Sequence, residues 1–159
     1  MSLTETVEKI KFHITQNNHK LMIVLGDKNS NNLLLEKLKS LENIDTLNLN
    51  LFLSKILITL KKDERNNPDE LIESMLFKNS NKDVILLSHI NILFDINLKW
   101  NPLDIFKKLS RDKIIIVLWD GKLTKRGLEY ASHPHLENIY YSIDKFEEIL
   151  ILGTVNHIL

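Results

Sequence analysis

The residues around position 30 decide what chemistry this chain can perform on a phosphate. An apolar run ends at Gly26, the polar segment 27–32 follows, and an apolar helical pattern begins at Leu33. This layout is that of a phosphate-binding P-loop, G-x-x-x-x-G-K-[ST]. Counted from Gly26, the template puts Asn31 at the second glycine, Asn32 at the lysine and Leu33 at the hydroxyl residue. Only the first glycine of the motif is retained.

Hydrolysis of ATP also needs groups that this pattern does not supply. A lysine neutralises the terminal phosphates, a hydroxyl binds Mg²⁺, and a carboxylate at the end of a neighbouring buried strand supports the metal. We expect that neighbouring strand to be 84–87, and Ser88 and His89 follow it without a carboxylate. Lys28 lies too early in the loop to replace the lysine. The pattern predicts a P-loop-like fold that has lost its catalytic groups.

The loop 26–32 could still bind an anion weakly. Asparagine tolerates left-handed backbone conformations, so the loop could keep a concave shape at the N-terminus of the next helix. The alternative interpretation is an ordinary polar loop between a strand and a helix.

Three other places carry reactive residue types. Ser88 and His89 suggest a nucleophile and a base, but adjacent residues on a strand face opposite sides. The segment 133–135, His-Pro-His, lacks a third ligand at a recognisable spacing and is typical of a turn, so we predict no metal site. Asp120 follows the buried run 114–119, where α/β proteins often place functional residues, although Asp-Gly is also an ordinary turn.

Basic residues exceed acidic ones between positions 102 and 126. Such a local excess could meet nucleic acid or an acidic partner, while a solvated face is the simpler interpretation. The basic residues are Lys107, Lys108, Arg111, Lys113, Lys122, Lys125 and Arg126, against Asp104, Asp112 and Asp120.

Composition restricts the class of protein. The chain has 159 residues, which predicts a single domain, and its 21 basic and 21 acidic residues give no global attraction to nucleic acid or membrane. It has no cysteine, which excludes disulfides, thiol catalysis and cysteine-bound metals and fits a reducing cytoplasm. No apolar run approaches the roughly 20 residues that span a bilayer, and no signal-peptide core is present. We therefore expect a cytoplasmic protein without membrane contact.

The elements that would position these residues alternate between apolar strands and amphipathic helices. This alternation predicts an α/β fold, a three-layer parallel sheet of P-loop NTPase (AAA-like) type with helices on both faces. The segment 122–136 is expected to be a loop with one helical turn, and 149–152 is either strand or helix. The expected helices are 1–18, 31–42, 53–60, 68–76 and 102–109; the expected strands are 21–25, 44–50, 84–87, 114–119 and 139–143; a capping-box pattern lies at 144–147.

Three stretches of the chain resemble a known family. They are 47–51 with Ser54 and Leu57; 83–95 continuing through 101–103 to 109–111; and 117–121 followed by 128–131, His133-Pro134 and Tyr140. Together they cover most of residues 21–143, and they resemble BrxF, the small P-loop protein of type 3 BREX bacteriophage-exclusion systems.

The resemblance implies an AAA-like nucleotide-binding core and a cytoplasmic role in phage defence. The system would contain a DNA methyltransferase and larger ATPases. It implies a phosphate loop at 26–33, a Walker B end at Ser88, a sensor-like position at Asp120, and Arg111 facing a neighbouring subunit. The chain departs from the family by lacking the lysine, the hydroxyl and the acidic residue.

We therefore expect a non-catalytic structural or regulatory subunit of a BREX-type defence assembly, without a cofactor. Its partners would be other proteins of the system, with DNA reached through the complex and a homo-oligomer as an option. One alternative is an NTPase that holds ATP or ADP with Mg²⁺ in an irregular P-loop. Others are a DNA-binding or adaptor subunit that uses the basic stretch 107–126, and an unrelated AAA-type loader.

Overall fold

A computed structural model describes residues 2–65, 67–95, 97–130, 140–142 and 149–153. In these residues helices and strands alternate along most of the chain. The helices are α1 (Leu3–Gln16), α2 (Lys28–Lys39), α3 (Leu49–Leu57), α4 (Pro68–Asn79) and α5 (Pro102–Leu109), with 3₁₀ turns at Lys62–Arg65 and Asn91–Phe94. The strands are β1 (Leu21–Gly26), β2 (Ile44–Asn48), β3 (Val84–Ser88), β4 (Ile114–Thr124), β5 (Gly127–Tyr130) and β6 (Ile149–Gly153).

The strands form one mostly parallel sheet in the order β2-β3-β4-β1-β6, and β5 pairs with β4 in the antiparallel sense. β1 lies between β4 and β6, and each of its residues is buried. Central parallel strands are covered on both faces, which explains why they are apolar at successive positions instead of alternating. The predicted α/β fold with a parallel sheet is confirmed.

Helices cover the sheet on both faces. Met22 and Val24 of β1 pack with Leu34 and Leu38 of α2 and with Ile10 of α1. The alternate residues of β1 face the other side, where α3, α4 and α5 contribute the apolar side chains. Because successive strand residues point to opposite faces, the continuous apolar run of β1 serves two separate cores.

The strand β4 is longer than the sequence predicts. It does not end in a turn at Asp120 but continues to Thr124 and forms a hairpin with β5, so 122–130 is not a loop. A Cβ at Gly121 would lie 1.9 Å from the backbone oxygen of Glu129, so the close pairing depends on glycine at that position. The indole Nε1 of Trp119 donates to the same oxygen at 3.0 Å.

The end of β2 also differs from the prediction, and the segment that the sequence left open is resolved. β2 ends at Asn48, because the Asn48 side chain accepts the backbone N–H of Leu51 at 3.0 Å and begins α3 directly at Leu49. The ambiguous segment near the C-terminus is a strand, β6, parallel to β1. Of the predicted strand 139–143, residues 140–142 are described, and Tyr141 bridges Leu128. The capping-box pattern at 144–147 and the histidines of 133–135 lie outside the described residues.

Candidate functional site

A small cavity of about 160 Å³, lined by both polar and apolar side chains, lies where the carboxyl ends of β1, β3 and β4 meet. In open parallel sheets this edge is the usual place for ligands. Of the residues predicted from the sequence, it collects Lys28, Asn31, Asn32, Ser88 and Asp120. Its wall also includes Asn50, His89, Asn91 and Tyr130, which the P-loop template does not select.

The junction between β1 and α2 has no phosphate loop, so the predicted loop at 26–32 is wrong. β1 ends at Gly26 and α2 begins at Lys28, which leaves Asp27 alone between them. Oδ1 of Asp27 accepts the backbone N–H of Ser30 at 2.7 Å and caps the helix. A capping carboxylate occupies the end of the helix that would otherwise attract an anion.

The asparagines of this segment are helical and do not form a concave loop. Asn31 and Asn32 belong to the first turns of α2, and none of the described asparagines in 29–32 has a positive φ. The backbone N–H of Asn31 is already bonded to the carbonyl of Asp27 at 2.9 Å. The expected anion-binding shape is therefore absent. The signal for this outcome is an aspartate placed before a helical pattern, which is a standard helix start.

Gly26 and Leu33 do not contact the cavity in the way the motif requires. A Cβ at Gly26 would meet Oδ1 of Asn31 at 2.7 Å, so the asparagine side chain fills the space above the glycine. Leu33 is 60% exposed and lies beside a second, smaller cavity of about 100 Å³ between α1 and α2.

The strands next to β1 are β4 and β6, and not β3 as the sequence suggested. Asp120 of β4 pairs in register with Gly26 of β1, and it is half-buried. The end of the neighbouring strand therefore does carry a carboxylate. Ser88, at the end of β3, lies one strand further away. Strand order follows from tertiary packing, so the apolar runs alone could not reveal it.

Ser88 and His89 form a hydrogen-bonded pair, contrary to the prediction that they point to opposite sides. β3 ends at Ser88, and His89 adopts a left-handed backbone with φ of 50°. This turn brings Nδ1 of His89 to 3.0 Å from Oγ of Ser88. Ser88 is only 4% exposed, whereas the histidine is exposed.

Asn50 holds the turn that follows Ser88. Its backbone N–H donates to the carbonyl of His89 at 2.9 Å, and its Oδ1 accepts the N–H of Ile92 at 2.8 Å. These two bonds join the start of α3 to the residues after β3. They fix the left-handed conformation of His89 from outside its own strand.

An aromatic cluster supports the opposite wall of the cavity. Tyr130 stacks on Phe94 with ring centroids 3.8 Å apart, and Trp119 meets both rings edge-on. The hydroxyl of Tyr130 donates to Oδ1 of Asn91. Asn91 is therefore oriented by a side chain that is itself packed in the core.

The basic residues of 107–126 do not form one surface. Lys113 precedes β4 and Lys122 lies near its far end, so about 30 Å of strand separates them at roughly 3.3 Å per residue. Lys107, Lys108 and Arg111 lie on the side of Lys113, whereas Lys125 and Arg126 form the hairpin turn. Arg111 thus lies at the sheet edge opposite the cavity.

Several of these charges are already engaged within the chain. Lys113 is buried, and its Nζ donates to the carbonyl of Lys82. Nζ of Lys108 lies 3.9 Å from Oδ1 of Asp69. The guanidinium of Arg126 lies over the ring of Tyr140, 5.3 Å from its centroid. A continuous track for a nucleic-acid backbone is therefore not formed by this stretch.

Within the described ranges, no group of three or more histidine, aspartate or glutamate residues is arranged to hold a metal ion. No helix in that part of the chain combines the length and apolar character needed to cross a membrane.

Comparisons with protein-family models, with curated proteins and with solved structures found no match to this chain.

Proposed function

We propose that this chain is a non-catalytic structural or regulatory subunit of a BREX-type phage-defence assembly, acting in the cytoplasm. The resemblance of 47–51, 83–95 and 117–121 to the BrxF family supports the defence context. The strand order β2-β3-β4-β1-β6 in a mostly parallel sheet, with helices on both faces, supports a core of P-loop NTPase (AAA-like) type.

The observation that carries the non-catalytic part is the one-residue junction between β1 and α2. Asp27 caps the helix and Asn31 covers Gly26, so the position of a nucleotide phosphate is filled by the protein's own side chains. The cavity beside it measures about 160 Å³. Pockets for drug-sized ligands measure roughly 300–1,000 Å³, so this cavity is small for a nucleotide.

Loss of hydrolysis leaves the rest of the fold intact. The two cores depend on apolar side chains of the sheet and helices, and none of them needs a lysine in a phosphate loop. Such a chain can therefore keep the surfaces by which it contacts other proteins of the assembly. We propose that it reaches DNA through those partners, because the basic residues of 107–126 are divided between opposite edges of the sheet.

Two measurements with ATP and Mg²⁺ test the hypothesis that the chain is non-catalytic: a calorimetric titration for binding and an assay of phosphate release for turnover. We expect neither binding at micromolar concentrations nor turnover. Micromolar binding with turnover that Lys28→Ala abolishes would establish the rival NTPase. A gel-shift titration at low salt is expected to show no retardation of DNA by the isolated chain.

The defence role is tested in bacteria that carry the complete gene set. Deletion of this gene should raise phage plating efficiency, and the wild-type gene should restore protection. Lys28→Ala and Asn32→Ala should restore it equally well, because no phosphate chemistry is needed. Gly121→Ala, which disrupts the β4–β5 hairpin, provides a control that should not restore it. Unchanged plating after deletion contradicts the defence role.

A further inference from the structure

We propose that Ser88 is a reactive serine, activated by His89, that accepts an acyl group from a small activated ester. The proposed subunit is non-catalytic toward nucleotides; this inference concerns a different reaction, goes beyond that role and does not rest on it. It rests on the hydrogen-bonded pair at the end of β3, on the backbone that creates this pair, and on the cavity that both residues line.

The pair exists because the backbone of His89 is turned away from the strand conformation. In a continued strand, the residue after Ser88 would project to the opposite face of the sheet. A positive φ at a residue with a Cβ is unfavourable by about 1–2 kcal/mol, and such conformations concentrate at functional sites. Asn50, through its backbone N–H at 2.9 Å from the carbonyl of His89, supplies the contact that maintains it.

The geometry allows His89 to act as a general base. Nδ1 lies 3.0 Å from Oγ of Ser88, within the range for proton transfer along a hydrogen bond. With the imidazole protonated on Nε2, Nδ1 accepts the proton while Oγ attacks the acyl carbon. The Oγ–C bond forms, the ester C–O bond breaks, the leaving group departs with its electron pair, and the imidazolium returns its proton to solvent.

We assign the stabilisation of the developing oxyanion to Asn50 and Asn91, which line the same cavity as Ser88. The Oδ1 atoms of Asn50 and Asn91 accept from the N–H of Ile92 and the hydroxyl of Tyr130, so the donors in this proposal are their Nδ2 amide groups. Asparagine amides serve this purpose in acyl transfer. A volume of about 160 Å³ is enough for an acyl group of a few carbons.

The test uses the full chain and p-nitrophenyl acetate, with peptide mass spectrometry to locate the acetyl group. We expect acetylation of Ser88 and none of Ser110, which is similarly buried but has no imidazole bonded to it. In His89→Asn, acetylation should slow on the order of 100-fold, the contribution typical of a general base. Asparagine tolerates a left-handed backbone, so this variant keeps the turn.

Two results would overturn the inference. The first is a wild-type chain in which Ser88 is not acetylated, or is acetylated no faster than Ser110. The second is a folded His89→Asn chain in which Ser88 reacts at the wild-type rate. The comparison of the two serines within the wild-type chain remains decisive even if the variant fails to fold.

Discussion

The side chain of Asn31 lies directly against Gly26, so that a Cβ on the glycine would be 2.7 Å from Oδ1 of the asparagine. The first turn of α2 thus covers the end of β1 with a side chain instead of an open backbone loop. This contact distinguishes the junction from a phosphate-binding loop more directly than the absence of a lysine does.

Gly26→Ala should therefore destabilise the chain only modestly, by less than about 1 kcal/mol. The atom it meets is the end of a side chain that can rotate, whereas a fixed backbone could not give way. Urea denaturation measures the change in the free energy of unfolding. In the background of Asn31→Ala the same substitution should be close to neutral, and additive effects of the two substitutions would contradict the contact.

Gly121→Ala should be far more damaging, with a loss of about 3 kcal/mol or more. Its Cβ would come within 1.9 Å of the Glu129 carbonyl oxygen, a backbone atom held in the β4–β5 pairing. Because Trp119 donates to the same oxygen, its fluorescence should also change. A Gly121→Ala chain as stable as Gly26→Ala would show that the hairpin is not paired as described.

Asp27→Ala should lower the free energy of unfolding by about 1 kcal/mol, the usual effect of losing an N-cap side chain. Asp27→Asn should have little effect, since its side-chain oxygen can still accept the N–H of Ser30. Thermal or chemical denaturation of the two variants makes the comparison. If both variants lost the same free energy of unfolding, the negative charge of Asp27, and not its hydrogen bond to Ser30, would account for the stabilisation.

Stability should fall with acid through Asp45. The hydroxyl of Ser80, and then the ammonium of Lys82 at 3.2 Å, hold the pKa of this carboxyl below its usual value, against an opposing effect of burial. A lowered folded-state pKa gives stability that is present above the unfolded value near 4 and is lost as the pH falls through the folded value. The free energy of unfolding, measured by denaturation at several pH values from 6 to 2, should therefore fall less with acid in Asp45→Asn than in the wild type.

Asn50→Ala should cost about 1–2 kcal/mol, because the N–H of Ile92 loses its acceptor at 2.8 Å. It should also slow acetylation of Ser88, since Asn50 holds the turn that positions His89 and lines the same cavity. Asn32→Ala is the matched control: this exposed asparagine lines the cavity too, and its replacement should leave stability nearly unchanged. If Asn32→Ala changed stability and acetylation as much as Asn50→Ala does, Asn50 would not be the residue that holds the turn.

The sequence predicted the elements better than their arrangement. The apolar run of β1 and the helical spacing of Leu34 and Leu38 show which residues are buried. The period of that pattern distinguishes a strand from a helix. The end of β2 and the start of α2 were misplaced because Asn48 and Asp27 cap helices through their side chains, a local effect stronger than the hydrophobic pattern.

The arrangement of the cavity could not be predicted because it depends on contacts between distant parts of the chain. The neighbour of β1 is set by packing, which places Asp120, and not Ser88, beside Gly26. The pairing of Ser88 with His89 depends on a backbone turn that Asn50 holds from another element. The P-loop pattern covers Lys28, Asn31 and Asn32. Asn50, Asn91 and Tyr130 line the same cavity but lie outside that pattern.

The pairing of β1 has a consequence for synthesis of the protein. Its two neighbours in the sheet are β4 and β6, which follow it by most of the length of the chain. While a ribosome is still making the second half, neither strand that pairs with β1 is present. The apolar side chains of β1 then stay exposed unless another protein covers them. Folds whose contacts are this distant in sequence assemble slowly, so the nascent polypeptide should be a client for chaperones until β6 has emerged.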